Sequence, residues 1–172
     1  MRMDTLTLIL LGVMPMLVIV GGLSDLTTMK IPNWISLALI AGFLPAALVA
    51  GLPLGDVAVH FGVAFTALLV GMGMFALRWI GGGDAKLMAS ACLWLGLQGS
   101  GLFLVYTGLM GGLFCLFLIL ARAQFRPYLA GAPGWMTTLM EPKGDIPYGV
   151  AIAAGALIAY PSAPLMAHFI AG

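Results

Sequence analysis

Long runs of apolar residues dominate the sequence, and the charged residues fall between them. Five intervals contain no Asp, Glu, Lys or Arg, namely 5–24, 31–55, 57–77, 87–121 and 146–172. An α-helix of about 20 apolar residues can cross the hydrocarbon core of a bilayer. Interval 87–121 is long enough for two crossings and has a break at Gln98-Gly99-Ser100-Gly101, whereas each of the others fits one. The pattern therefore predicts six membrane-spanning helices.

These intervals predict an all-α integral membrane protein with a single transmembrane domain over 1–172. The helices are expected at Leu6–Leu23, Trp34–Ala50, Val57–Leu77, Ala85–Leu97, Leu102–Ala121 and Ile146–Met166. Asn33 is placed to cap the second helix. The longest connection, 122–145, contains several aromatic and methionine residues. It is predicted either to lie on the membrane surface or to cover a site as a flap.

Composition strengthens the membrane interpretation and excludes other classes of protein. Hydrophobic residues make up 62% of the chain and charged residues 8%. A chain of 172 residues could not bury so much apolar surface in one soluble core. The continuous runs also lack the alternation of a transmembrane β-barrel. The net charge of +1 gives no indication of nucleic-acid binding, and Cys92 and Cys115 have no metal-binding spacing, so neither a metal site nor a cofactor is predicted.

The distribution of basic residues predicts how the chain lies in the membrane. Six of them fall in the links after the first, third and fifth helices: Lys30, Arg78, Lys86, Arg122, Arg126 and Lys143. Only Arg2 falls on the other side, so the positive-inside rule puts these links in the cytoplasm and both termini outside. Three acidic residues are then expected at the cytoplasmic face, namely Asp25, Asp84 and Asp145.

Two of these acids have a pattern that indicates chemistry. Asp25 follows the first predicted helix, and Asp84 begins the fourth after Gly81-Gly82-Gly83, a run that lets other groups approach closely. Two carboxylates held close together cannot both ionise cheaply. One can then act as a general base on water while the other acts as a general acid on a peptide bond, as in an aspartic protease. The spacing fits equally well a helix cap at Asp84 with an ordinary interfacial acid at Asp25, or an ion- or proton-handling site.

Three segments resemble a known family. Gly81-Gly82-Gly83-Asp84 matches the Gly-x-Gly-Asp signature of intramembrane aspartic proteases, and the following Ala85-Lys86-Leu87 resembles the form that it takes in type IV prepilin peptidases. The segment 25–33, an acid followed by a basic residue and Ile-Pro-Asn, resembles the first catalytic segment of that family. The segment 143–153 resembles its final-helix segment. The three segments occur in the family's order and together cover the six-helix core.

The resemblance implies an aspartic endopeptidase of the bacterial inner membrane, with Asp25 and Asp84 as its catalytic dyad and no cofactor. The implied substrate is a prepilin, whose short polar leader ends in Gly before an apolar helix and is cleaved after that Gly at the cytoplasmic face. The same three segments supply candidate supporting or substrate-binding residues: Lys30, Pro32, Asn33, Gly81, Gly83, Lys86, Lys143, Pro147, Tyr148 and Gly149.

Some of these polar residues also have a purely structural interpretation. Lys30 and Lys86 could hold substrate charge or tune the acids, but lysines near helix ends also extend to the interface and set topology. Asp145 could be a third site acid or could simply begin the last helix beside Pro147. His60 and His168 are expected near the outer side, away from the chemistry.

The chain departs from the larger, two-function members of the family at one point. Those members carry a cytoplasmic domain between the first two helices, with paired Cys-x-x-Cys motifs that bind zinc. Here that link has about ten residues and no cysteine. The chain therefore resembles the short, peptidase-only form associated with tight-adherence (Flp-type) pili. Methylation of the new pilin N-terminus and the oligomeric state remain open.

Two other classes of protein fit parts of the pattern. A small ion- or proton-coupled transporter could use the acids on one side, although transporter sites tend to lie at the bilayer midplane within internal repeats. We find neither feature in the sequence. A metal-dependent membrane transferase would need more clustered acids, because Asp25 and Asp84 alone are few ligands for Mg²⁺.

Overall fold

The computed structural model describes residues 5–125, 131–142 and 144–171, which form helices and connecting turns without a β-strand. The α-helices are α1 (Thr5–Thr28), α2 (Asn33–Val49), α3 (Leu54–Ala76), α4 (Gly82–Phe125), α5 (Gly134–Leu139), α6 (Tyr148–Ala159) and α7 (Pro164–Ala171). Helices α1, α3 and α4 are long and apolar enough to cross a membrane, and α2 and α6 are shorter apolar helices. The all-helical prediction is confirmed for the described residues, and the six spans stay a prediction.

The first helix is longer than the sequence pattern indicates, so Asp25 lies inside α1 and not in a link. The predicted helix ends at Leu23, but residues 24–28 continue α1, and the hydroxyl groups of Thr27 and Thr28 bond within the helix. Thr27 Oγ1 donates to the Leu23 carbonyl over 2.8 Å, and Thr28 Oγ1 donates to the Ser24 carbonyl over 2.7 Å. Such bonds to the preceding turn satisfy the hydroxyl groups without ending the helix. The helix ends at Thr28, and the residue after it, Met29, has a φ of 54°.

The second helix begins one residue earlier than predicted and uses a different cap. Pro32, in an extended conformation, is the residue at the cap position, and no side chain caps the helix. Asn33 is the first helical residue, and its Oδ1 accepts a hydrogen bond from Lys86 Nζ over 2.9 Å. The prediction that Asn33 caps α2 was therefore wrong, because its side chain bonds to α4.

The interruption predicted within 87–121 exists, but its position was wrong. Residues 98–101 are helical, and the break is at Gly96, which has φ 61° and ψ −170°. Glycine adopts this conformation without the steric penalty that a side chain brings. The imidazole of His60 fills the adjoining space, and its Nδ1–H donates to the Leu93 carbonyl over 2.6 Å. In an unbroken helix that carbonyl would accept the amide of residue 97.

The last predicted helix, Ile146–Met166, is divided in two. Helix α6 ends at Ala159, a 3₁₀ turn covers Tyr160–Ser162, and α7 begins at Pro164. Two prolines explain the division. Pro161 lies in the 3₁₀ turn and Pro164 begins α7. Proline lacks the amide that a helix interior needs, and it favours an extended conformation for the residue before it. Ala163, just before Pro164, has that conformation, with φ −69° and ψ 136°.

The core is formed where the first half of α4 packs among α1, α2, α3 and α6. The largest fully buried side chain is Trp94 of α4, whose Nε1 donates to the Leu39 carbonyl of α2 over 2.9 Å. Small residues at crossings allow the backbones to approach, as is common between membrane helices. A Cβ added at Gly22 would lie 3.0 Å from the Cβ of Ala153, and one at Gly71 would lie 2.9 Å from that of Ala85. The first contact joins the end of α1 to α6, and the second joins α3 to the start of α4.

Candidate active site

Asp25 and Asp84 meet at the end of the bundle where α1 ends and where α2 and α4 begin. Both residues line a cavity of about 560 Å³, and both line a second cavity of about 350 Å³. The structure thus brings together the two acids that the sequence analysis paired, from positions 59 residues apart.

One oxygen of Asp25 is fixed by the backbone of α6. The amide of Gly149 donates to Asp25 Oδ2 over 2.8 Å, and only 7% of Asp25 is exposed. A Cβ at residue 149 would lie 2.8 Å from the Asp25 Cβ and 2.9 Å from the Ile31 Cδ1. The close contact therefore requires glycine at this position, which gives Gly149 a role in shaping the site.

One oxygen of Asp84 is fixed in a similar way by the glycine run. Helix α4 begins at Gly82, so Asp84 is its third residue, and its Oδ2 accepts the Gly81 amide over 2.9 Å. This is the reciprocal half of a capping box, and it differs from the predicted cap position. The other oxygen, Oδ1, is buried and has no hydrogen-bond partner among the described residues. The capping role thus occupies one oxygen and leaves the other available to a water or a substrate.

Most of the other predicted site residues surround these two acids. The larger cavity is lined by Lys30, Pro32, Asn33, Gly81 and Gly83, and the smaller by Gly81, Asp145, Pro147 and Tyr148. Gly83 packs against the Ile-Pro-Asn segment, since a Cβ there would lie 3.0 Å from the Ile31 Cβ. Lys86 lines neither cavity but bonds to Asn33 on the wall of the larger one. Lys143 lies outside the described residues.

Asp145 belongs to the site end of the bundle. Helix α6 begins at Tyr148, with Pro147 at its cap position, so Asp145 does not begin that helix. It lies three residues before the helix and lines the smaller cavity together with Asp25 and Asp84. Three acidic residues thus face one cavity.

Sequence reasoning used Arg122 only as an indicator of topology, yet its guanidinium organises the rim of the site. Its Nε donates to the Leu139 carbonyl over 2.9 Å, and its two terminal nitrogens donate to the carbonyls of Gly144 and Asp145 over 3.0 and 2.9 Å. The fork of a guanidinium suits several acceptors at once. Only the position of a single arginine near the end of an apolar helix could have indicated this role.

The histidines lie elsewhere, as expected. His60 and His168 line a separate cavity of about 310 Å³ with Asp56 and Gln98, near the start of α3. Helix α2 begins at Asn33, beside the two acidic residues, and ends at Val49, at the opposite end of the bundle where the histidines lie. Within the described ranges, no three His, Cys, Asp or Glu side chains form a group that could hold a metal ion.

Comparison with known proteins identifies the family of this chain. Residues 12–116 match the type IV leader peptidase family. Two prepilin leader peptidase/N-methyltransferases of Aeromonas salmonicida, one of them from strain A449, are each 35% identical to this chain over 133 residues. The match covers 67% of this chain and 43% of each relative, so the chain spans less than half of their length. No solved structure is significantly similar. Because the family match covers more than half of the chain, including Asp25 and Asp84, this protein belongs to the type IV leader peptidase family.

Proposed function

We propose that this protein is a membrane aspartic endopeptidase that removes the leader of prepilins by cleaving after its terminal Gly. The observation that carries the proposal is the shared lining of two cavities by Asp25 and Asp84, each with one oxygen fixed by a backbone amide. Fixed carboxylates that face one cavity meet the geometric requirement for acid–base catalysis on a bound peptide. The family and the names of the two relatives support a prepilin as the substrate.

The two acids would divide the work of hydrolysis. Like charges at short range favour a state in which the pair holds one proton. The ionised carboxylate takes a proton from water as the water oxygen attacks the scissile carbonyl carbon. The protonated partner gives its proton to the carbonyl oxygen. As the C–N bond breaks, the leaving amine takes the proton that the first carboxylate accepted from water, and the partner takes a proton back from a hydroxyl group of the tetrahedral intermediate. Water and peptide are consumed, and one carboxyl and one amine are formed.

The unpartnered oxygen of Asp84 is the natural point of contact with the reacting groups. Its Oδ2 is held by Gly81, whereas its buried Oδ1 lacks a partner among the described residues. A buried carboxylate oxygen without a partner is unfavourable, and a bound water or a substrate group would relieve that penalty. We infer that Oδ1 contacts the water or the scissile carbonyl.

We further propose that this end of the bundle faces the cytoplasm. Lys30 and Arg78 line the two cavities, and Arg122 lies beside the smaller one through its bond to Asp145. The positive-inside rule places such a cluster of cations on the cytoplasmic side of an inner membrane. A prepilin leader would still be in the cytosol there, so substrate and site would meet on the same side.

The proposal is confined to peptide hydrolysis. The names of the two relatives include an N-methyltransferase activity, but the described acids provide chemistry for hydrolysis. Only residues 29–32 separate α1 from α2 in this chain, which is the short link expected of the peptidase-only form. The transporter alternative is not favoured, because the family match points to leader peptidases.

Co-expression with a tight-adherence prepilin tests the proposed function. Wild-type protein should convert the prepilin to the shorter form, and sequencing of the product's N-terminus should place the cut after the leader's Gly. Asp25→Asn or Asp84→Asn should abolish the conversion, because an amide can neither take up nor supply the proton. Asp56→Asn, which changes an acid at the other cavity, is the matched control and should process normally. Normal processing by either site variant would refute the proposal.

A further inference from the structure

A groove of about 450 Å³ lies between α2 and α3, with α4 as its floor. Each helix contributes four residues spaced as i, i+3, i+4 and i+7, within 33–40, 61–68 and 86–93. This spacing is that of one helix face. Seven residues of helix rise about 10 Å, so the groove has the length of about two helical turns.

The groove is open at its side and closed at one end. On its rim, Leu37 and Phe65 are 65% and 62% exposed, whereas Leu93 on the floor is 1% exposed. The far end is closed where Phe43 of α2 meets Phe61 of α3 edge to face, with ring centroids 5.8 Å apart. In a membrane, an apolar segment could therefore enter the groove laterally.

The groove is continuous with the candidate active site. Asn33 lines both the groove and the larger cavity that contains Asp25 and Asp84. Lys86 lies at the same junction, and its Nζ donates to Asn33 Oδ1 over 2.9 Å. A chain that leaves the acids along this wall passes directly from the polar cavity into the apolar groove.

One buried polar atom favours a peptide over a lipid chain as the occupant. Ser36 lines the groove, is 7% exposed, and its Oγ has no hydrogen-bond partner among the described residues. A hydroxyl group without a partner is unfavourable in an apolar medium. Serine hydroxyls hydrogen-bond across packed membrane helices, which an acyl chain cannot do.

We propose that this groove binds the first two turns of the substrate's apolar helix, on the carboxyl side of the scissile bond. The inference rests on the proposed function for the identity of the substrate. The binding mode is that of a helix laid into a groove, with anchors every three to four residues. Asn33 and Lys86 mark the point where the bound substrate changes from an extended chain, beside Asp25 and Asp84, to a helix.

Disulfide cross-linking tests the placement without requiring cleavage. The enzyme carries Asp25→Asn together with Cys92→Ala and Cys115→Ala, and the prepilin carries single cysteines at successive positions of its apolar helix. Leu37→Cys on the rim should cross-link to positions three or four residues apart. Leu48→Cys, on the same helix but outside the groove and 77% exposed, is the matched control. Equal cross-linking at both sites, or none at Leu37→Cys, would overturn the proposal.

Kinetics with two substrates test the role of the groove in catalysis. Ala64→Phe narrows the groove and should raise the KM for full-length prepilin about tenfold or more. A peptide that ends shortly after the scissile bond should be cleaved at an unchanged rate. Ala58→Phe, at an exposed position of α3 outside the groove, should change neither rate. If Ala64→Phe impaired cleavage of both substrates equally, or left the KM for prepilin unchanged, the proposal would be contradicted.

These tests separate the groove from the proposed function. A protein that cross-links prepilin through Leu37→Cys but, with its aspartates intact, never cleaves it would refute the peptidase and retain the groove. A protein that cleaves prepilin at a rate independent of substitutions in the groove would refute the groove and retain the peptidase.

Discussion

The backbone amide of Gly149 donates a hydrogen bond to Asp25 Oδ2 over 2.8 Å, although 124 positions separate the two residues. The bond joins the end of α1 to the first turn of α6. Asp84 has the equivalent contact within its own segment, with the amide of Gly81. Each acid thus has one oxygen held by rigid backbone, which fixes the direction in which the other oxygen points.

The contact of Gly149 with Asp25 predicts that Gly149→Ala impairs catalysis. The added methyl group would lie 2.8 Å from the Asp25 Cβ, so the amide and the carboxylate must separate. Small displacements of a catalytic group cost about 10²-fold in rate, and we expect a loss of that order in kcat. Gly112→Ala on α4, where an added Cβ meets nothing within 4 Å, is the control. A Gly149→Ala enzyme as fast as this control would contradict the assigned contact.

Arg122 is predicted to act as a positioning residue. Arg122→Gln removes the charge-assisted bonds to the carbonyls of Leu139, Gly144 and Asp145, so the rim of the smaller cavity should loosen. We expect a rise in KM of about tenfold, with a smaller change in kcat. Arg122→Lys should recover only part of the loss, because one ammonium group cannot reproduce the guanidinium fork.

The control for Arg122 is Gln124→Ala, which changes an exposed residue on the next part of the same helix. Steady-state kinetics with purified enzyme in liposomes provide the measurement. Full activity of Arg122→Gln would show that the rim does not depend on this side chain.

Gly96 is predicted to matter for stability and not for chemistry. Gly96→Ala forces a side chain into φ 61° and places its Cβ 2.8 Å from the His60 Cε1. A residue held in such a conformation costs about 1–3 kcal/mol, so the Tm in detergent should fall. The control is Gly101→Ala, at a helical position where an added Cβ meets nothing within 4 Å. This substitution should be neutral or slightly stabilising. A Gly96→Ala protein with the same Tm as the wild type would contradict the assigned break at Gly96.

Thiol labelling tests the proposed orientation. In protein with Cys92→Ala and Cys115→Ala, Trp79→Cys is 68% exposed at the site end, and Leu54→Cys is 84% exposed at the other end. An impermeant maleimide added to intact spheroplasts should label Leu54→Cys and should label Trp79→Cys only after the membrane is opened. Labelling of Trp79→Cys but not of Leu54→Cys in intact spheroplasts would place Asp25 and Asp84 on the outer side, away from a leader in the cytosol.

The sequence predicts much of the fold because apolar runs are a direct consequence of the bilayer. It also predicts that Asp25 and Asp84 lie at the same end of the protein, because the positive-inside rule groups the links on each side. Both residues line the same two cavities, and their catalytic roles stay a prediction. The end of α1 was misplaced because Thr27 and Thr28 satisfy their hydroxyl groups within the helix. Position along the chain does not reveal such local bonds.

Other features depend on tertiary contacts and were not predictable. The break at Gly96 is set by His60 of another helix, and many glycines in the chain lie in regular helix. The bonds of Arg122 depend on how the segment 139–145 folds back. The fit of Gly149 against Asp25 becomes evident only when α1 and α6 pack together.

The most direct test of the central claim is the rate of prepilin cleavage by purified enzyme carrying Asp25→Asn, Asp84→Asn or both. If the two acids act as one unit, each single variant should lose about 10²- to 10⁴-fold in kcat, and the double variant should lose no more than the worse single variant. A single variant that retains wild-type kcat, or a double variant whose loss equals the product of the two single losses, would contradict the dyad.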